Sequence, residues 1–135
     1  MPSKEEVQDF LTTQFPQSRD IVEAVGDRSA TIRHRVGFAD LRPGNTVAGP
    51  VLMGAADLAL YVAILGEIGI VALAVTTNLS INFLRKPAAD KDIIAECRLI
   101  KVGKVLIVGE VALYSEGEKE PVAHVTGTYS VPPQR

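Results

Sequence analysis

Apolar and polar positions follow three different rhythms along this chain. Val7, Phe10 and Leu11 fall at helical spacing behind Ser3-Lys4-Glu5-Glu6, which has the form of a capping box with Ser3 as N-cap. This predicts a short amphipathic helix that ends at Phe15-Pro16-Gln17-Ser18. Ile21 to Val25 and Ala30 to Val36 are rich in β-branched residues and flank Gly26-Asp27, the pattern of a hairpin. Leu41-Arg42-Pro43-Gly44-Asn45 has turn chemistry and predicts a loop.

From Gly49 to Gly66 the chain is apolar on all sides apart from Asp57. Pro50 suits a first helical turn, and Gly66 and Gly69 suit an end. A helix with no polar face is expected to be buried all round. The stretch from Pro50 to Leu65 is shorter than the roughly 20 residues that span a bilayer, and Asp57 interrupts it. Beyond it, Ala72 to Leu84 alternates, with Leu73, Val75, Thr77, Leu79, Ile81 and Phe83 on one face and Ala72, Ala74, Thr76, Asn78, Ser80 and Asn82 on the other. Ile93 to Val102 and Val105 to Tyr114 meet at a Gly103-Lys104 turn, and Val122 to Val131 follows Glu116 to Pro121. These four strands are expected to form a meander. The order predicts an α+β fold in which an antiparallel sheet wraps one long central helix. The chain reads as one domain over 1–135, with residues 1–16 packing as a helix on the body.

Composition narrows the partners. With 135 residues and 47% apolar content, the chain can build a real core, and its net charge of −2 gives no global pull toward nucleic acid or an anionic membrane. The single cysteine, Cys97, lies among Ile93, Ile94, Ala95 and Leu99 and reads as a small core residue. The polar, acidic N-terminus lacks the form of a secretory signal, so the cytoplasm is the expected location. His34 and His124 sit in strand patterns without metal-ligand spacing, and no Gly-x-Ser-x-Gly or phosphate loop occurs. Neither metal nor organic cofactor is expected.

The candidate chemistry centres on Asp57. A carboxylate in an apolar helix is costly to bury without partners. It either caps neighbouring backbone or meets an arginine, or it acts. Gly49, at the helix start, offers a free N–H suited to a developing oxyanion. The two residues are eight apart, about 12 Å along a helix, too far to serve one substrate carbonyl. Two such helices running antiparallel across a dimer would bring Gly49 of one chain to Asp57 of the other.

The segments Ala48-Gly49-Pro50, Ala56-Asp57-Leu58-Ala59, Val75 to Ala88, Lys101-Val102-Gly103-Lys104 and Pro121 to Tyr129, in this order, resemble the hotdog-fold acyl-CoA thioesterases of the PaaI-like (phenylacetic-acid-degradation) group. The likeness runs from about Leu41 to Pro132. That family usually carries His-Gly-Gly before the helix and an acid nine residues after the histidine. Asp57 is nine after Ala48, so the resemblance implies a general base or nucleophile at Asp57 and an oxyanion donor at Gly49. It also implies an acyl-CoA substrate and a homodimer, usually paired into a homotetramer. Three positions depart from the pattern: Ala48 replaces the histidine, Pro50 the second glycine, and Arg42 the expected Asn or Gln. These leave a non-catalytic acyl-CoA binder as an alternative, and rank an enoyl-CoA hydratase or dehydratase low for want of the histidine.

The remaining candidates are substrate-binding. Arg85, Lys86, Lys101 and Lys104 are suited to CoA phosphates, against ordinary solvated charge; the family has a basic residue at the place of Arg85. Asn78, Ser80 and Asn82 either meet the pantetheine arm or a neighbouring subunit, or form a wet sheet face. Tyr61, one turn after Asp57, lines an acyl pocket, bonds the carboxylate, or packs in the core.

Overall fold

Ser3 opens the first helix as the spacing predicts. Its Oγ accepts the Glu6 N–H at 3.2 Å, and Glu6 Oε1 accepts the Ser3 N–H at 2.9 Å. The computed structural model describes residues 1–133. In chain order it holds α1 (Lys4–Gln14), β1 (Ile21–Gly26), β2 (Ser29–His34), a 3-10 turn (Phe38–Asp40), the two-residue strands β3 (Leu41–Arg42) and β4 (Thr46–Val47), α2 (Gly49–Ile68), β5 (Val75–Phe83), β6 (Ile93–Val102), β7 (Leu106–Ser115) and β8 (Ala123–Ser130). Val7 and Leu11 form the buried stripe of α1, and the Gln8 side chain accepts the Val22 N–H at 2.7 Å, which fastens α1 to β1.

The six long strands make one antiparallel sheet in the order β1-β2-β6-β7-β8-β5. The sheet curls around α2, which touches every strand of it. This is the expected sheet wrapped on a central helix. Although α2 has the length and hydropathy of a membrane span, most of it is buried against the sheet. Leu52, Leu60, Ile64 and Leu65 from the helix meet Ile32, Ile93, Ile107 and Leu113 from the strands in the core. Cys97 is buried there too, and burial pushes its thiol up to about 12.

Several expectations are corrected. Only β6, β7 and β8 form a meander. β5 lies at the sheet edge beside β8, because the link 84–92 contains Pro87 and is too long for the tight turn that would pair β5 with β6. The alternation of β5 does not persist, since its register shifts between Thr76 and Asn78. A bulge of this kind flips the faces, so Thr76 on one side of it and Leu79 on the other both look toward α2. The helix runs past Gly66 to Ile68, and Gly69, with φ 100°, ends it. Gly66 lies within the helix where β1 packs closely, and a Cβ there would collide with Val25. Nor is α2 buried all round. Pro50, Met53 and Gly54 are exposed and Asp57 half-buried, at the i, i+3, i+4, i+7 spacing of one helical stripe turned away from the sheet.

Candidate functional site

Asp57 stands on this stripe with one carboxylate oxygen held. Its Oδ1 accepts the Thr76 hydroxyl at 2.7 Å and the Tyr129 hydroxyl at 2.7 Å; the Tyr129 oxygen is also 3.1 Å from the Asp57 main-chain oxygen. The β5 bulge turns Thr76 inward, and β8 delivers Tyr129 from the neighbouring strand. Neither an arginine nor a backbone N–H is bonded to this carboxylate among the described residues. Burial pushes the Tyr129 phenol well above its ordinary range, so it stays protonated and donates.

Tyr61 does not bond the carboxylate. Its hydroxyl donates to the Ala72 carbonyl at 3.0 Å, and its ring stacks on Tyr129 with centroids 6.2 Å apart. Phe15, arriving from the end of α1, meets Tyr61 edge-on at 5.8 Å. Burial raises the Tyr61 phenol as well. These rings line an open cavity of about 980 Å³, whose wall also includes Val51, Leu58, Thr76 and Asp57. An apolar chamber with a held carboxylate at its wall has the make-up of a small-molecule site.

The wall also holds a group not anticipated from spacing. His34, at the end of β2, lies with Nδ1 2.6 Å from Asp20 Oδ1 and Nε2 3.0 Å from Asp40 Oδ2. The Asp20 contact is the main cause that pushes the imidazole up to about 9, and burial opposes it. No periodicity links residues 20, 34 and 40, so only the folded chain reveals them. Thr76 and Tyr129 lie within segments that carry the family resemblance, but nothing in their spacing points to Asp57.

The other sequence candidates lie elsewhere. Gly49 is the first residue of α2, where its N–H has no partner one turn back. A Cβ there would approach the Phe83 ring to 3.1 Å, so the position has little room for a side chain. Ala48 caps the helix without a side-chain hydrogen bond. Neither residue shares the cavity wall with Asp57, nor do Arg42, Asn78, Ser80, Arg85, Lys86 or Lys104. Arg42 pairs with Thr46 across β3 and β4, and Lys86 comes near Gly44 in the same loop. Arg85 donates to the Pro121 carbonyl and pairs with Glu120 at 3.4 Å. Asn78 and Ser80 are exposed on β5, and Lys101 and Lys104 flank the β6–β7 turn. His124 faces the outer side of the sheet, 3.1 Å from Glu110. Among the described residues no group of His, Cys, Asp and Glu is arranged to hold a metal.

Comparison with known proteins now bears on this arrangement. The family model described as "Thioesterase superfamily" matches residues 44–122, more than half of the chain. The chain belongs to the thioesterase superfamily. A protein of Silicibacter sp. TM1040 described as a candidate thioesterase is similar to it at 41% identity, with 97% of this chain and 92% of that one covered and a TM-score of 0.90. Two more distant structures share the fold. The PaaI protein of the Escherichia coli phenylacetic acid degradation operon is 18% identical over 97% of this chain and 96% of its own, with a TM-score of 0.80. A hypothetical thioesterase of Streptococcus pneumoniae TIGR4, solved with coenzyme A, is 19% identical over 93% and 98%, with a TM-score of 0.79. No curated protein matches the chain in sequence. The hotdog fold and the PaaI-like likeness expected from the sequence therefore stand. Within this thioesterase family chain, Asp57, Tyr61, Thr76 and Tyr129 are gathered in one cavity, while Gly49 lies outside it.

Proposed function

We propose that this chain is an acyl-CoA thioesterase that acts as a homodimer. The observation that carries the reading is the Asp57 carboxylate, held at Oδ1 by Thr76 and Tyr129 at the wall of a largely apolar cavity, in a chain of the thioesterase superfamily. With one oxygen held, the other is left to meet water or substrate. Asp57 as general base takes a proton from a water that adds to the thioester carbonyl; as nucleophile it attacks the carbonyl itself, expels the CoA thiolate by cleavage of the C–S bond, and forms a mixed anhydride that water hydrolyses to the acid and the free Asp57 carboxylate. In the first route the tetrahedral oxyanion collapses, the C–S bond breaks, and the CoA sulfur leaves and takes up a proton, giving a carboxylic acid and free thiol. No metal or organic cofactor enters these steps. Coenzyme A in the Streptococcus pneumoniae structure supports a CoA ester as substrate.

Gly49 completes the site from a second chain. Its N–H and Asp57 are separated by about 12 Å of helix, so one chain does not supply both groups to one carbonyl. The surface that would meet a partner has the right character. β5 is an edge strand, and Met53, Val75, Phe83 and Leu84 are exposed on or beside it and the α2 stripe. A pair of such dimers as a tetramer, and a location in the cytoplasm, complete the proposal. Arg85, Lys86 and Lys104 are proposed to meet the CoA phosphates from the loop rims.

Ala48 favours a second reading, an acyl-CoA binder without turnover, because its methyl offers no hydrogen-bonding group beside the donor. A panel of short, medium and aromatic acyl-CoAs, with thiol release as readout, separates the two. Asp57→Asn is expected to lower hydrolysis by about 10²–10⁴-fold while fold and oligomer persist. Wild-type-like turnover in that variant removes Asp57 from the mechanism, and tight binding with no thiol released selects the binder.

A further inference from the structure

His34 has an acceptor on both ring nitrogens. Nδ1 lies 2.6 Å from Asp20 Oδ1 and Nε2 lies 3.0 Å from Asp40 Oδ2. A carboxylate only accepts, and a neutral imidazole has one N–H. Both contacts are hydrogen bonds only when the ring is the imidazolium. A ring so engaged has no free nitrogen to serve as base or acid toward a substrate, although it lines the same cavity as Asp57.

The three residues join separate pieces of chain. Asp20 precedes β1, His34 ends β2, and Asp40 closes the 3-10 turn. Asp40 passes the constraint on. Its Oδ2 also accepts the Gly37 N–H at 2.8 Å, and its main-chain oxygen accepts the Ala48 N–H at 2.8 Å. Ala48 is the cap of α2 and Gly49 is the next residue. A continuous path thus runs from the imidazolium through Asp40 and Ala48 to the Gly49 amide.

We infer that Asp20, His34 and Asp40 form a charge-dependent clamp that sets the position of the Gly49 amide, which makes His34 a positioning residue for the site. The inference rests on the thioesterase reading only for its consequence in turnover; the clamp itself is a statement about the chain. Loss of the imidazolium proton leaves a ring lone pair facing one carboxylate at hydrogen-bond distance, which repels it. The shorter Asp20 contact keeps the remaining N–H, so the Asp40 arm is the one released, and with it the segment leading into α2.

The surrounding charges do not replace the clamp. Arg19 and Arg35, chain neighbours of Asp20 and His34, line the cavity, and neither pairs with Asp20 or Asp40 among the described residues. Arg33 points away, to Glu23, Asp92 and Glu116. Asp92, just before β6, also accepts the Val36 N–H at 3.2 Å. From α2, Asp57 and Tyr61 face the cavity, and from β8, Tyr129; their hydrogen bonds run to one another, to Thr76 and to Ala72, and none reaches Asp20, His34 or Asp40. The placement of two carboxylates also accounts for an imidazole pushed up to about 9.

The test is a pH titration of the intact protein by carbon-detected NMR, which follows the His34 ring together with the Ala48 and Gly49 carbonyl carbons. The expected result is one shared midpoint near pH 9. In Asp40→Asn the ring midpoint should fall, and the Ala48 and Gly49 signals should no longer follow it. A His34 midpoint near its ordinary 6.5, or Ala48 and Gly49 signals that ignore the ring in the wild type, overturns the clamp. Hydrolysis of an acyl-CoA, corrected for the spontaneous reaction, is then measured against pH. Wild-type kcat/KM should fall above the shared midpoint, by at most about tenfold per pH unit, and level off near the lower, pH-independent plateau that His34→Gln should show throughout. A limb unchanged in His34→Gln refutes the positioning role. If no acyl-CoA is cleaved while the shared midpoint is present, the clamp stands and the thioesterase reading fails.

Discussion

Replacing Gly127 with alanine should destabilise the protein by about 1–3 kcal/mol, and that cost should vanish once Leu60 is cut back to alanine. Gly127 of β8 and Gly109 of β7 are direct cross-strand partners. Together they form a notch in the sheet beneath α2. A Cβ on Gly127 would stand 2.5 Å from Leu60 Cδ1 and 3.0 Å from Leu79 Cδ1; one on Gly109 would stand 2.7 Å from Leu60 Cδ2 and 3.0 Å from Leu99 Cδ2. A leucine tip normally turns aside at little cost. Leu60 has no such escape, because each of its methyls occupies one half of the notch and the residue is 1% exposed. Rotation away from one new Cβ drives the other methyl into the opposite strand. Leu60→Ala alone empties the notch and should cost about 2–5 kcal/mol. In that background Gly127→Ala refills part of the space and also removes glycine's unfolded-state entropy, worth roughly 0.4–1 kcal/mol. The double variant should therefore match or exceed the stability of Leu60→Ala. Denaturant unfolding of all four proteins at one fixed concentration measures the coupling directly. A Gly127→Ala cost that is equal in both backgrounds would show that the helix does not seat through Leu60. Because Leu60 follows Asp57 by three residues, a shifted seat also moves the carboxylate relative to Tyr129.

Two further outcomes follow from the site. Tyr129→Phe removes one donor from Asp57 but leaves Thr76, so kcat should fall by a factor of roughly 10–100, in line with a charged hydrogen bond of about 1.5–3 kcal/mol, while KM stays nearly constant; steady-state thiol release on one acyl-CoA checks it, and an unchanged kcat rules out the role. The imidazole of His34 is raised on folding from 6.5 to about 9, so its stabilising effect is complete below 6.5 and is lost as pH rises through 9. This is worth on the order of 3 kcal/mol. Thermal unfolding of wild type and His34→Gln between pH 6 and 10 should show the gap between them closing over that window, and a constant gap would contradict it.

Much of the architecture was legible in one dimension. The capping box at Ser3, the buried stripe of α1, the apolar run of α2 and the β6–β7 hairpin are all local. Each depends on the spacing of a few neighbouring residues, and spacing is a property of the sequence itself. Asp57 was legible for the same reason, since a charge stands out in an apolar run. Its partners were not. Thr76 lies 19 residues away and Tyr129 lies 72 away, and they meet Asp57 only because β5 pairs with β8 at the sheet edge and is bulged between Thr76 and Asn78.

The same distinction explains where strand reading went astray. Regular alternation predicts two clean faces for β5, but one extra residue at the bulge exchanges them, and nothing in the run Val75-Thr76-Thr77-Asn78 marks that exchange. The sequence by itself determined the helices, most strand segments, the apolar core and the one carboxylate set apart from it. Strand order, the exposed stripe of α2, the hydroxyl pair on Asp57 and the Asp20–His34–Asp40 group were decided by tertiary structure, because each requires residues far apart in the chain to meet, and such meetings are fixed by the packing of the whole sheet around the helix rather than by local periodicity.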